Sequence, residues 1–427
     1  MAVWTAVDLE APGSPRIVCL MRLQRQRSRL TFRPKRRGGL VPFALVMGLS
    51  LGLVLGLWDV VSRTFFAPPG TPHSLADGEA AFARGDLAQA VLIAQQQYSA
   101  HPDDPAALTL LVRALIYRSY SDYNRDADRV QALTYTQAAA AANPWNFEIL
   151  AAHALVLQAN DKPDQASRLA VRVIERIPEN MPARLALALA YGKQGLFEAA
   201  LREARRGVAI SDERAQSWRM DARRVLAIAL SDTGQYNDAL QAVREAITSG
   251  PALLPLHFEQ ALYAIHAGKP DTAVSSYYHI IADDPANVKA RFRLCELSSS
   301  LGEREAAIQS CREVTERAPE WSSGWYQLGH EYFLEGKYAS AQRTLNRCAT
   351  LQTLYDVPLS ERHYECWTWQ GQAAEMVGDC AALEALYSDY HRVFVDQADA
   401  PAWTYPPEGP PQCLFSVPMA ETESPLS

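Results

Sequence analysis

Cysteine is the residue type best placed to do chemistry in this 427-residue chain. There are seven: Cys19, Cys295, Cys311, Cys348, Cys366, Cys380 and Cys413. Six of them fall in the last third, an even number that suits disulfides in an oxidising compartment. Pairing in chain order, 295–311, 348–366 and 380–413, is the simplest connectivity open to six cysteines. The alternative is that they are small buried thiols. A zinc site from Cys348, His363, Cys366 and Cys380 lacks paired C-x-x-C spacing and is disfavoured.

Other reactive patterns do not emerge. No phosphate-cradling G-x-x-x-x-G-K-[ST], no G-x-S-x-G and no H-E-x-x-H occurs. The nine histidines are scattered. The pairs Asp103-Asp104 and Asp283-Asp284 each precede a proline, where aspartate suits a turn rather than acid–base work. The chain is therefore read as a non-enzyme with no cofactor and no metal.

The elements that carry these residues are set by a repeat. Ala90, Ala132, Ala166, Ala200, Ala239, Ala273, Ala307 and Ala341 are spaced by 34 residues in five of seven intervals; the others are 42 and 39. Pro102, Pro144, Pro178, Pro251, Pro285 and Pro319 each follow one of these alanines by twelve. A period of 34 predicts a helix–turn–helix solenoid. An alanine in each second helix, with a small residue in each first helix, lets the pair cross closely. The small positions are Gly78, Ala154, Ala188, Ala227, Ala261, Cys295 and Gly329, with Val112 in the second repeat. Proline ends the second helix because it has no amide proton to donate and clashes with the preceding turn. Two repeats are longer, by about eight residues near Tyr120–Asp126 and about five near Ser211–Arg219. Both insertions are expected to be longer turns at helix ends.

The repeat beginning at Ser322 reads Trp325-x2-Leu328-Gly329-x2-Tyr332, with Ala341 nine residues later; the next echoes it with Trp367, Gln370, Gly371 and Ala374. This pattern resembles the tetratricopeptide repeat, in particular the membrane-anchored bacterial type. The resemblance implies an all-α superhelical solenoid of eight to nine helix pairs over residues 71–390, serving as a protein-binding scaffold. In such a superhelix the first helices line a groove. Reading their groove positions gives Arg224, Phe258, His266, Phe292, Arg293, Tyr326, His330, Phe333 and Trp369 as partner-binding candidates. Aromatics interleaved with hydrogen-bonding groups suit an extended peptide or an amphipathic helix; the same stripe would also serve packing between repeats. The family's Lys and Asn clamp for acidic C-terminal peptides is not matched.

Residues 1–37 form a basic segment, with nine Lys/Arg and no acid from Arg16 to Arg37. Residues 38–58 are uncharged and largely aliphatic, long enough to span a bilayer as one signal-anchor helix. The basic flank predicts a cytoplasmic N-terminus and an extracytoplasmic repeat domain. No A-x-A cleavage site follows in the linker 59–70. Ala44, Gly48, Gly52 and Gly56 recur every four residues, a face suited to a second helix or a homo-oligomer. Either Met1 or Met21 could start the chain. Residues 1–70 carry a net +7 and the whole chain −7, so residues 71–427 are acidic and nucleic acid is excluded as a bulk electrostatic partner. Residues 391–427 form a Pro-rich tail whose cysteine and aromatics would let it cap the last repeat. The expected function is a single-pass, membrane-anchored interaction scaffold assisting envelope assembly or secretion. The alternatives are a thiol-redox or metal-dependent enzyme on the Cys-rich third, and a glycan-binding module using the aromatic groove.

Overall fold

The computed structural model describes residues 73–394, Trp403 and Cys413. The chain divides into Met1–Thr71 and Pro72–Ser427, and all described residues belong to the second part. The expected basic segment, the membrane span 38–58 with its small-residue face, and most of the tail lie outside the described residues. Among the described residues no helix is long and apolar enough to cross a membrane.

Those residues fold into eighteen α-helices and no strands, an all-α array of nine antiparallel pairs. Repeats 1 to 3 are α1 Leu75–Ala83 with α2 Leu87–Ala100, α3 Pro105–Ser121 with α4 Asp126–Ala142, and α5 Phe147–Ala159 with α6 Pro163–Ile174. Repeats 4 to 6 are α7 Met181–Lys193 with α8 Phe197–Glu213, α9 Arg219–Asp232 with α10 Tyr236–Ser249, and α11 Leu254–His266 with α12 Pro270–Asp283. Repeats 7 to 9 are α13 Val288–Ser300 with α14 Arg304–Arg317, α15 Ser322–Leu334 with α16 Tyr338–Leu354, and α17 Glu365–Met376 with α18 Cys380–Phe394. Helix α18 thus continues beyond residue 390.

Local chemistry explains the helix boundaries. Asp104, Asn146, Asn180 and Asn287 precede first helices, and each side-chain oxygen accepts an amide proton of the first turn. The six periodic prolines all lie just past second helices. The turn inside each pair needs one left-handed residue, which glycine supplies in seven repeats at φ between 70° and 78°. Repeats 2 and 3 use Asn124 (φ 55°) and Asp161 (φ 54°), the residue types that best tolerate that conformation.

The close crossings are real packing constraints. All eight periodic alanines are at most 1% exposed. A Cβ on Gly329 would stand 2.6 Å from Leu345 Cγ, and one on Gly78 would stand 2.8 Å from Leu110 Cδ2. Larger side chains there would overpack the pair.

Both insertions depart from the expected longer turns. The first extends α3 and α4 to 17 residues each, and its turn packs on repeats 7 and 8. The second extends α8 to 17 residues and adds a 3-10 turn, Gln216–Trp218, that carries Trp218 over Arg113. The physical reason is distant in sequence: repeats 1 and 2 lie against repeats 5 to 8, so these segments find partners there.

Candidate partner-binding site

The inner surface is built from first helices, and α3 is its keystone. Arg113 is 5% exposed and faces Asp221 of α9, also 5% exposed. Its Nε donates to Asp221 Oδ1 at 3.2 Å, and its Nη2 donates to Oδ2 of the same carboxylate. Tyr117 Oη donates to Asp221 Oδ1 at 2.9 Å. The guanidinium also lies between Phe82 and Trp218, 4.2 and 4.7 Å from their ring centroids. Burial alone would depress the Arg113 pKa, but the Asp221 carboxylate overrides it and holds the group charged. Burial pushes the Tyr117 phenol well above its ordinary value, with Asp221 adding to it.

Arg224 makes a second such pair. Its Nη2 is 2.6 Å from Glu259 Oε1, and its guanidinium lies over Tyr117 and Tyr120. One turn further, the end of α3 is clasped by α13. Asn287 Nδ2 donates to Ser121 O at 2.9 Å, Lys289 Nζ to Tyr120 O at 2.7 Å, and the Lys289 amide to Asp122 Oδ1 at 3.0 Å. Tyr123 stacks on Trp321 at 4.9 Å, and its hydroxyl donates to Glu320 Oε1 at 2.9 Å. Burial, then repulsion from Arg293, pulls the Lys289 amine down to about 8. Burial, helped by Glu320, pushes the Tyr123 phenol up to about 12.

This closure divides the groove. A chamber of about 410 Å³ lies among repeats 2 to 5, lined by α3, α5, α7 and α9. A cleft of about 500 Å³ lies over repeats 6 and 7, lined by Phe258, Glu259, Leu262, Ile265, Tyr277, Lys289 and Arg293 among others. Tyr120 and Arg224 line both and form the partition.

The nine groove candidates therefore separate. Arg224, Phe258 and Arg293 meet at the cleft. His266 is exposed and stacks on Tyr236 at 4.9 Å. Phe292 packs on Trp321 at 4.6 Å. Tyr326, His330, Phe333 and Trp369 gather between repeats 8 and 9, with His330 and Phe333 at 5.2 and 4.7 Å from Trp369 and Tyr326 stacked on His363 at 4.9 Å. These four are half-buried and hold adjacent repeats together. Sequence reasoning passed over Arg113, Tyr117, Asp221 and Lys289. All four occupy the same first-helix groove positions used to find the others: Arg113 and Tyr117 in repeat 2, which that reading did not reach, and Asp221 and Lys289 in repeats 5 and 7, where it took only Arg224, Phe292 and Arg293.

The cysteines are paired as Cys295–Cys311, Cys348–Cys366 and Cys380–Cys413, with Cα separations of 5.3, 6.0 and 5.3 Å. The four-residue zinc set is thereby split, and His363 Nε2 sits 3.0 Å from Ser323 Oγ instead. Among the described residues no group of three or more His, Cys, Asp or Glu could hold a metal ion. Trp403 occupies the space over Gly371, where a Cβ would stand 2.5 Å from its ring. It also meets Tyr387 and Tyr390 edge-on, each at 5.4 Å.

Family profiles described as tetratricopeptide repeat match residues 264–329 and 322–353. A sequence comparison with curated proteins returned no match. Among solved structures, the chain is similar to one from the APC/C hetero-tetramer Cut9–Hcn1, at 13% identity and a TM-score of 0.50, covering 80% of this chain and 64% of that one. It thus spans less than two thirds of that protein's length, and at this identity the likeness is one of fold. Further similar structures are the C-terminal part of a TPR repeat-containing protein from Cytophaga hutchinsonii (13% identity, TM-score 0.48, 58% of this chain and 96% of that one) and PilW, titled a type IV pilus biogenesis factor (13% identity, TM-score 0.43, 50% and 96%). With both family matches falling on helix pairs of the array, the chain is a tetratricopeptide-repeat protein, a scaffold of the kind that binds other proteins.

Proposed function

We propose that this protein is a membrane-anchored scaffold that presents its repeat domain on the extracytoplasmic face of a bacterial membrane, where it holds a partner protein during envelope assembly or secretion. The observation that carries the binding part is the cleft over repeats 6 and 7. Leu262 and Ile265 are 47% and 39% exposed along its wall, and Phe258 adds a half-buried ring. Lys289, Arg293 and Glu296 supply polar groups beside this apolar strip. That combination suits an amphipathic helix or an extended peptide. The location is supported by the three cysteine pairs, which need an oxidising compartment to form, and by the basic flank before the aliphatic run at 38–58. A thiol-redox reading gains nothing from the structure. Cys295, Cys311, Cys348 and Cys366 are 0% exposed and Cys413 is 1% exposed, and half-buried Cys380 is bonded to Cys413, whereas a reactive thiolate needs to be free and accessible.

The test is site-specific photocrosslinking in the native host. A crosslinker at Leu262 of the full chain should trap a discrete partner, and one at exposed Arg205 should not. Equal labelling from both positions would remove the cleft as the binding surface. Thiol-alkylation of intact cells checks the location: all six C-terminal cysteines should resist a membrane-permeant alkylator until reductant is added.

A further inference from the structure

We propose that the outer groove between repeats 8 and 9 is a second protein-binding site, and that it takes a neutral, extended, apolar segment of a partner, one backbone N–H of which donates to Gln370. The groove has a volume of about 390 Å³, within the range of binding pockets. Second helices α16 and α18 form its walls and first helix α17 its floor. It therefore opens away from the inner surface that holds the chamber and the cleft.

Gln370 is the residue that points to a ligand. It is 6% exposed and stands just before Gly371, the small residue at the helix crossing. At the same place repeats 2, 4, 7 and 8 carry Leu111, Leu187, Leu294 and Leu328, each at most 5% exposed. Repeats 3 and 6 carry polar residues there, and each has a partner inside the fold. His153 Nδ1 lies 2.9 Å from Thr136 Oγ1, and Gln260 Oε1 accepts from Ser276 Oγ at 3.0 Å. Gln370 Oε1 is buried with no hydrogen-bond partner, and its side chain lines the groove. A buried acceptor left unpaired is destabilising. The four leucines show that packing of the repeat does not require an amide at this place.

The rest of the lining says what kind of donor fits. Leu354, at the end of α16, is 66% exposed, and half-buried Leu386 of α18 faces the same space. The hydroxyls of Thr350 and Thr353 give their protons to Asn346 O and Ala349 O of their own helix, which leaves only lone pairs for a ligand. Asp389 is the one charged residue among the described lining residues. It already accepts from Trp367 Nε1 at 2.9 Å and from Arg392. A charged side chain would lose hydration here without gaining a free counter-charge, so the complementary segment is neutral. An extended segment offers unspent backbone N–H groups beside apolar side chains, whereas the interior of a helix has already used its own.

The groove is also held in shape before anything binds. The Cys348–Cys366 bond joins α16 to the start of α17 next to two lining residues, Ala349 and Trp367. The Trp367–Asp389 hydrogen bond ties α17 to α18. A surface fixed in this way loses little freedom on binding.

This groove is separate from the cleft over repeats 6 and 7, so it stands or falls independently of the function proposed above. The experiment selects short peptides from a random displayed library on the full chain in detergent, then measures the enriched peptides by isothermal titration. Two variants are compared with the natural chain: Gln370→Met, which keeps the unbranched shape without the acceptor, and Gln370→Leu, which installs the residue of the other repeats. Peptides of this site should be uncharged and apolar in their central residues. They should bind both variants about tenfold or more weakly, and methylation of one backbone nitrogen should weaken them to a similar degree. The melting temperature of both variants should stay the same or rise, because an unpaired buried amide is removed; a merely structural glutamine would lower it. Peptides that bind both variants normally but fail with Leu262→Asp belong to the cleft. A photocrosslinker at Leu354 of the purified full chain reads the rival occupants. A crosslink within the chain to residues 395–427 assigns the groove to this chain's own end, and a crosslink between chains assigns it to a second copy; either result overturns the proposal. It is equally overturned if no selected peptide is weakened by the Gln370 variants, if the weakened peptides have charged centres, or if both variants melt lower than the natural chain.

Discussion

Repeats 2 to 6 and repeats 7 to 9 share one helix-pair packing but are fastened by different chemistry. The first group is fastened by polar ties that reach far along the chain: Arg113 to Asp221 spans 108 residues, and Tyr123 reaches on to Glu320 at the start of repeat 8, 197 residues away. In the second group they are covalent and local, with cysteines 16, 18 and 33 residues apart. Local staples stiffen one repeat or join it to the segment that follows, and leave a solenoid's nearest-neighbour character intact. Long-range ties couple repeats that a solenoid would otherwise keep independent, and here they also partition the groove into chamber and cleft. The polar form carries a risk, because a buried charge that loses its partner is strongly destabilising.

The sharpest way to break the comparison is Arg113→Met. It leaves Asp221 buried opposite an apolar side chain and should remove about 3–5 kcal/mol. Urea unfolding gives the loss, and hydrogen exchange should show α3 and α9 opening together. A loss below about 1 kcal/mol would mean that the closure is not what couples these repeats.

Next is the double change Cys348→Ala with Cys366→Ala. Closing a loop of this length contributes about 3 kcal/mol. The loss should appear as faster exchange in repeats 8 and 9, with α3 and α9 unaffected. Loss of protection across repeats 2 to 6 would show that the covalent end also supports the polar one.

Glu331 tests whether the C-terminal group also depends on a buried charge. Its side chain is 0% exposed. Burial would raise its pKa, but hydrogen bonds involving His330, Ser299 and Arg304 overcome this and bring it down to about 2. Since the folded-state pKa lies below the ordinary 4.5, its contribution is fully present above pH 4.5 and is lost as pH falls towards 2. Thermal unfolding across that window should show the decline, and Glu331→Gln should flatten it. An unchanged slope in the variant would place the acid sensitivity elsewhere.

The smallest expected effect is Tyr123→Phe. It keeps the stack on Trp321 and removes only the hydrogen bond to Glu320, for about 1 kcal/mol. No change at all would assign the clasp to stacking and to the Lys289 and Asn287 contacts.

Much of the architecture was legible because it repeats. The alanine at eight of the crossings, the proline after six of the second helices and the glycine in seven of the turns act within one repeat, so their signal recurs with the period. The order of the cysteines is equally local, and the structure brings together the pairs that neighbour each other in sequence. The aromatic stripe was legible as residues but not as roles: Tyr326, His330, Phe333 and Trp369 fill the seam between two repeats, while Phe258 stays at the cleft. Burial by a neighbouring repeat separates those outcomes, and a single repeat does not encode it.

What the sequence by itself determined is the repeat unit: where helices start and stop, which positions must be small, and that eight to nine pairs stack into an array. Those choices follow from backbone geometry and side-chain volume over a few turns. Only the tertiary structure decided that Arg113 meets Asp221, that the segment near Tyr120 is a clasp rather than a loose turn, and that Tyr120 and Arg224 divide the groove in two. Each depends on the cumulative rotation between successive helix pairs. Small angles added over several repeats bring distant first helices face to face, and no single stretch of sequence specifies that sum.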